Sequence, residues 1–244
     1  MKVFRLGRFI LYLLLTGLLV LSIAAAVLTM QVASELPSIE TLRDVQLQVP
    51  LRVYTRDGRL LAEFGEKRRN PVRIEDVPQD LVNAFLAAED DRFFEHPGVD
   101  MFGIARAVFE LIRTGEKRQG GSTITMQVAR NFYLSREKTY IRKLSEIILA
   151  FRIEQSLSKP EILELYLNVA QFGPCLFGVE AAAQRFFGVP ASDLSAAQAA
   201  RLAAVLPSPG KMHAGSPGPY LQERTQEILA SMRDERSAAW LRGL

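Results

Sequence analysis

Carboxylates, hydroxyls and cations recur in four runs of otherwise apolar, helix-like sequence in this 244-residue chain, and each run could do chemistry. The first, Ala88 to Gly98, ends an apolar helical stretch on Glu89, Asp90 and Asp91 and then supplies Phe93, Phe94 and His96. A carboxylate beside like charge and aromatic surface is driven toward a higher pKa, which suits a general base acting on a sugar hydroxyl. The same residues also read as a helix C-terminus with solvated acids and core phenylalanines. The second run sets Gly120 and Gly121 before Ser122, Thr123 and Thr125, with Gln127, Arg130 and Asn131 following along a helix. Such a helix start gathers donors suited to phosphate oxygens, or is a loop that Ser122 caps. In the third, Arg142, Lys143 and Glu146 form either an exposed i,i+3 and i,i+4 pairing or, with Lys138, a set that neutralises a diphosphate leaving group. The fourth is Glu161 to Asn168. His96 and His213 are the only histidines, too few for a histidine metal cluster, and His96 by itself reads as a hydrogen-bonded structural residue.

The elements that must position these groups begin with an anchor. Phe9 to Ser34 carries no charge and is long enough to cross a hydrocarbon core of roughly 30 Å. Lys2, Arg5 and Arg8 precede it, which puts the N-terminus in the cytoplasm and the rest of the chain in the periplasm or its equivalent. The competing reading is a cleaved signal peptide with Ala24-Ala25-Ala26 at its end, whose apolar core would be longer than usual. The expected organisation is a cytoplasmic tail (1–8), a transmembrane anchor (9–34), a juxtamembrane linker (35–50), one catalytic domain (51–212) and a C-terminal helical extension (213–244). Cys175 is the single cysteine, so no internal disulfide forms, and it reads as a small buried side chain. A net charge of +3 without a basic run interleaved with aromatics argues against nucleic acid as a partner.

Leu51–Thr55 and Leu60–Phe64 flank an Asp57-Gly58 turn and read as a hairpin. A short helix is expected around Ser38 to Val45. From Pro78 the texture turns helical to the end of the chain, with Asp76 as a candidate N-cap and Leu81, Phe85 and Ala88 on one face. Ile141, Leu144, Ile148 and Phe151 repeat at helical spacing, which assigns them the buried face and leaves Arg142, Lys143 and Glu146 elsewhere. Pro160 suits the first turn of the next helix, and Ser195 caps an alanine-rich one that ends before Pro207.

Taken in order, the four runs resemble the motifs of peptidoglycan glycosyltransferase family 51, which includes monofunctional transglycosylases and the N-terminal half of class A penicillin-binding proteins. The likeness lies in Glu89-Asp90 with Phe93, His96 and Gly98; in Gly121-Ser122-Thr123-Ile124-Thr125 with Gln127 and Asn131; in Arg142-Lys143 with Glu146; and in Ile162 to Asn168. It spans Leu51 to Pro209. The resemblance implies a mostly α, lysozyme-like domain of two lobes, with a short N-terminal β-hairpin and one preceding transmembrane helix, whose cleft opens toward the bilayer. It implies polymerisation of lipid II, with Glu89 as the base and Glu146 either orienting cations or binding a divalent ion such as Mg2+ or Mn2+. Asp90, Phe93, His96, Gly121, Ser122, Thr123, Thr125, Gln127, Arg130, Asn131, Lys138, Arg142, Lys143 and Asn168 are the implied substrate-binding residues. Implied partners are lipid II, the nascent glycan strand, the inner membrane and other cell-wall synthesis or division proteins. Met126 and Gln198 depart from the family pattern, where glutamine and glutamate are frequent. Two rivals remain: a membrane-anchored lytic enzyme, which needs no cationic diphosphate site, and a silent lipid II-binding scaffold, which needs no base.

Overall fold

The N-terminal sequence forms one long helix, α1 (Lys2–Glu35), within which Leu11–Glu35 is long and apolar enough to cross a membrane. A computed structural model describes residues 2–39, 42, 51–57, 59–64, 70–115, 121–134 and 139–232. Lys138, Gly120, Gly58 and most of the helix expected at Ser38 to Val45 lie outside the described residues; Ile39 and Leu42 are buried in the main core. The expected hairpin forms from β1 (Leu51–Tyr54) and β2 (Leu60–Phe64), antiparallel with Leu51 opposite Phe64.

The body is helical, as expected. It comprises α2 (Gln79–Glu89), α3 (Met101–Thr114), α4 (Ile124–Tyr133), α5 (Tyr140–Ser156), α6 (Lys159–Val169), α7 (Val179–Phe187), α8 (Ala196–Val205) and α9 (Pro219–Ser231). Helix α2 packs on α8 and α9, while α4 packs on α5 and α6. The main core joins Phe85 of α2, Tyr166 of α6 and Phe172, with both Tyr166 and Phe172 set edge-on to Phe85. A smaller cluster of Val99, Met126 and Ala150 sits beside it. Met126 is therefore a core side chain, which accounts for an apolar residue at that departure from the family pattern.

Local signals determine several helix starts. Ser158 and Glu161 make a capping box around Pro160, and Ser195 and Gln198 make another, with Ser195 N donating to Gln198 Oε1 at 2.9 Å. Glutamine serves in that box as glutamate does, so the Gln198 departure leaves the helix start intact. Asp76 does not cap α2. It ends a one-turn 3-10 helix (Ile74–Asp76), pairs with Arg73, and leaves the cap position to Pro78.

Three further expectations are corrected. Helices do not run unbroken to the end, because β3 (Gln171–Gly173) and β4 (Leu176–Phe177) form a small hairpin between α6 and α7. Cys175 lies in its turn with a φ of 56° and is exposed, since a tight turn directs its side chain outward. On α5 the buried face is Ser145, Glu146, Leu149, Ala150 and Ile153, whereas Ile141 and Phe151 are exposed. The apolar stripe of α5 lies away from the core, and its C-terminal half runs beside α1, where Arg152 Nη2 donates to Ala33 O at 2.8 Å.

Candidate active site

Glu89 is the last residue of α2, one turn beyond the fully buried Phe85, and this places a carboxylate at the end of a rigid element. Gln127 of α4 donates its side-chain amide to Glu89 Oε2 at 2.6 Å. Burial pushes the Glu89 pKa up; the Gln127 hydrogen bond and then the charges of Arg130 and Arg224 oppose that rise, and Asp90 adds to it. A half-buried carboxylate with a raised pKa and one donor in place suits a general base.

Asp90 and His96 are engaged elsewhere. Asp90 accepts from Ile124 N at 3.0 Å and pairs with His96 Nε2 at 3.0 Å, so it clasps the chain after α2 to the start of α4. Phe93 is fully buried, edge-on to His96, and under the Lys159 ammonium at 4.3 Å. Lys159 also donates to His96 O and to Glu154 Oε1, each at 2.7 Å. Thr125 donates to the same Glu154 oxygen at 2.6 Å, and Thr123 donates to Gly98 O at 2.6 Å. Gly98, at a φ of 93°, lies so close to Ala150 O that a Cβ would meet it at 3.0 Å. Asp90, Phe93, His96, Thr123 and Thr125 thus form one buried frame that holds three chain segments together through Asp90, the Nε2 of His96 and the two threonine hydroxyls.

Thr123 rather than Ser122 caps α4, its hydroxyl accepting from Met126 N. Ser122 is left half-buried, and its hydroxyl accepts from Lys143 Nζ at 2.8 Å. Lys143 also reaches Glu146 Oε2 at 3.0 Å, while Arg142 holds Glu146 Oε1. Glu146 is only 1% exposed, so the three residues are not an exposed surface pairing. Gly121 abuts Ile104 of α3. Arg130 is half-buried beside Gln127, and Asn131 is exposed one residue further.

A divalent ion does not fit at Glu146. Both of its oxygens are engaged by cationic side chains, and among the described residues no three His, Cys, Asp or Glu side chains converge. Hard divalent cations require several oxygen ligands. Asn168 is likewise occupied: its side chain exchanges hydrogen bonds with both the N–H and the C=O of Val72, each at 2.8 Å, and Glu164 one turn earlier accepts from Ile74 N at 2.7 Å.

Sequence reasoning gave no role to Glu154, Lys159, Tyr166 and Arg224. Glu154 and Lys159 are an ionic pair five residues apart across a helix boundary, and nothing local reveals that they meet under Thr125. Arg224 comes from α9, whose Leu221, Thr225 and Ile228 are buried where it packs on α8 and α2. The segment following residue 212 therefore contributes to the surroundings of Glu89.

The chain resembles known proteins along most of its length. A family model described as Transglycosylase matches residues 57–233. Penicillin-binding protein 1A of Pseudomonas aeruginosa is 51% identical over 176 residues, covering 72% of this chain and 21% of that protein. The Vibrio cholerae protein of the same name is 47% identical over 205 residues, covering 84% of this chain and 25% of that one. A crystal structure of penicillin-binding protein 1A from Haemophilus influenzae aligns with 79% of this chain and 19% of its own at 28% identity and a TM-score of 0.41. The chain thus spans a quarter or less of the length of these curated relatives. The matched segment takes in Glu89, the cation-bound Glu146 and helix α9 alike, and the chain belongs to the transglycosylase family.

Proposed function

We propose that this chain is a peptidoglycan glycosyltransferase that polymerises lipid II at the membrane surface. Glu89 takes the proton from the 4-hydroxyl of the acceptor lipid II. That oxygen attacks the anomeric carbon of the growing strand, the bond to undecaprenyl diphosphate breaks, and the α-linkage becomes β. One displacement needs one base and no covalent sugar intermediate. Negative charge grows on the departing diphosphate, and fixed cations there stabilise the transition state.

The observation that carries this reading is the double attachment of α4. Gln127 on its first turn joins the base, and Ser122, two residues before the helix begins, joins Lys143 of the cation pair. A lytic enzyme has no use for a cation pair at that place, and a scaffold has none for a raised-pKa carboxylate. Arg142 and Lys143, oriented by Glu146, receive the diphosphate with Ser122, Gly121, Arg130, Asn131 and Lys138. Asp90, Phe93, His96, Thr123, Thr125 and Asn168 support them from the frame.

Helix α1 anchors the domain, with its basic N-terminus in the cytoplasm and the catalytic body outside. Helix α3 lies in the same surface: it buries no residue, and Phe102, Phe109 and Ile112 are 75%, 64% and 79% exposed. A patch of this kind binds lipid or detergent. Organisation into tail, anchor, linker and catalytic domain follows, with α9 counted as part of the domain. Other cell-wall synthesis or division proteins are its natural neighbours.

Incubating the purified chain with labelled lipid II, with and without moenomycin, a phosphoglycolipid that occupies the donor site in this family, tests the reading. Moenomycin-sensitive polymer is expected. Cleavage of preformed glycan with no polymer from lipid II would replace polymerisation with lysis.

A further inference from the structure

Tyr166 is 1% exposed, and its hydroxyl has no hydrogen-bond partner among the described residues. Buried hydroxyls are nearly always paired, so an unpaired one calls for a functional explanation. Its ring is fixed, standing edge-on to Phe85 with centroids 6.2 Å apart. Phe85 precedes Glu89 by four residues, so the face of α2 that holds the ring also carries the base one turn further on. Burial first, and the charge of Glu89 next, keep the phenol protonated, while Arg130 works the other way and Asp90 adds a smaller push. The group is therefore a donor, and the nearby anionic acceptors are Glu89 and Asp90. Asp90 is committed to His96 and Ile124 N. Glu89 Oε2 is taken by Gln127, and Glu89 Oε1 accepts no hydrogen bond among the described residues.

We propose that Tyr166 is a positioning residue for Glu89, its hydroxyl closing on the carboxylate oxygen that Gln127 leaves open when Glu89 ionises. A carboxylate accepts a hydrogen bond more strongly once it is charged. Two donors, from α4 and α6, then hold the carboxylate plane and aim a lone pair at the sugar hydroxyl. Tyr166 keeps its proton throughout; the proton from the sugar goes to Glu89. The inference rests on Glu89 being the base in the reading above.

Tyr166→Phe in the full chain tests it through the titration of Glu89, which Arg130, Arg224, Asp90 and Gln127 also face. Carbon-13-labelled glutamate carboxyls report that titration by NMR, with the Glu89 signal identified by its loss in Glu89→Gln. The expected result is an upward shift of about one unit in Tyr166→Phe, the equivalent of one hydrogen bond to a charged group. The acid limb of the lipid II rate profile moves up with it, the maximal rate falls roughly tenfold at constant KM, and Tm holds or rises because an unpaired polar atom is removed. A Glu89 titration identical in the two proteins overturns the inference, and a lower Tm with that titration unmoved makes Tyr166 a packing residue only. A shifted titration in a protein that makes no polymer upholds the Tyr166–Glu89 coupling and defeats the lipid II reading instead.

Discussion

Gln127 donates to Glu89 across 2.6 Å and so joins the end of α2 to the start of α4. The orientation of the base thus depends on a helix whose lead-in residue Ser122 is bound to Lys143, one of the two cations proposed to meet the leaving group. Base and cations are set by one element, and a disturbance of α4 should reach both.

Glu89→Gln should abolish polymerisation, by at least about a hundredfold, while the protein stays folded and anchored, because the amide keeps the shape but accepts no proton. Turnover on labelled lipid II measures it. Retention of a tenth of the wild-type rate would place the base elsewhere.

The raised pKa of Glu89 gives a signed pH dependence. Activity should fall on an acid limb centred above the ordinary glutamate value of 4.5. Stability moves the other way: a carboxyl whose pKa is higher in the folded state favours folding fully below its unfolded pKa, and that contribution is lost as pH rises through the folded value. Glu89→Gln should therefore raise Tm at neutral pH, with a gain that shrinks below about pH 4–5. Equal Tm differences at pH 4 and pH 8 would contradict the assigned burial effect.

Arg142→Ala or Lys143→Ala should lower the maximal rate at least roughly tenfold, since one charge-assisted contact is worth about 1.5–3 kcal/mol, and should weaken moenomycin binding. Glu146→Ala should be as severe for activity and should also destabilise by about 3–5 kcal/mol, because two partly buried cations lose their shared acceptor. Denaturant melts with rate measurements separate the two effects. Full activity in both cation mutants would relegate the pair to structure.

Asp90→Ala should destabilise by about 2–3 kcal/mol, as it removes the acceptor for Ile124 N and His96. Asp91→Ala should stay within about 0.5 kcal/mol, because Asp91 is exposed and only 3.7 Å from Arg106. Equal costs at the two positions would mean that the clasp contributes nothing specific.

Removing residues 1–29 spares Val32 and Ala33, which contact the body. The shortened protein should still float with lipid vesicles through α3. Adding Phe102→Ser, Phe109→Ser and Ile112→Ser should cut that binding at least roughly tenfold, since each buried apolar side chain contributes about 1.5–3 kcal/mol. Unchanged flotation would remove α3 from the membrane surface.

What the sequence by itself determined was local or ordered along the chain. The apolar α1, the β1–β2 hairpin and the capping of α6 and α8 rest on residues a few positions apart, whose backbone preferences need no distant partner. The order of the four polar runs likewise sufficed for the family. Only the tertiary structure decided which polar groups gather around Glu89 and Glu146 and which are spent on the frame. Thr125 meets Glu154 across 29 residues, and Asn168 meets Val72 across 96, so no window of sequence reveals either contact. On α5 the 3.6-residue apolar period was real, yet it marked Ile141 and Phe151 on the outside, while Glu146 went inward with two cations to hold it. Periodicity reports that a helix has an apolar side; whether core, neighbouring helix or lipid covers that side is settled by packing, and a charge can take the buried side when its partners come with it.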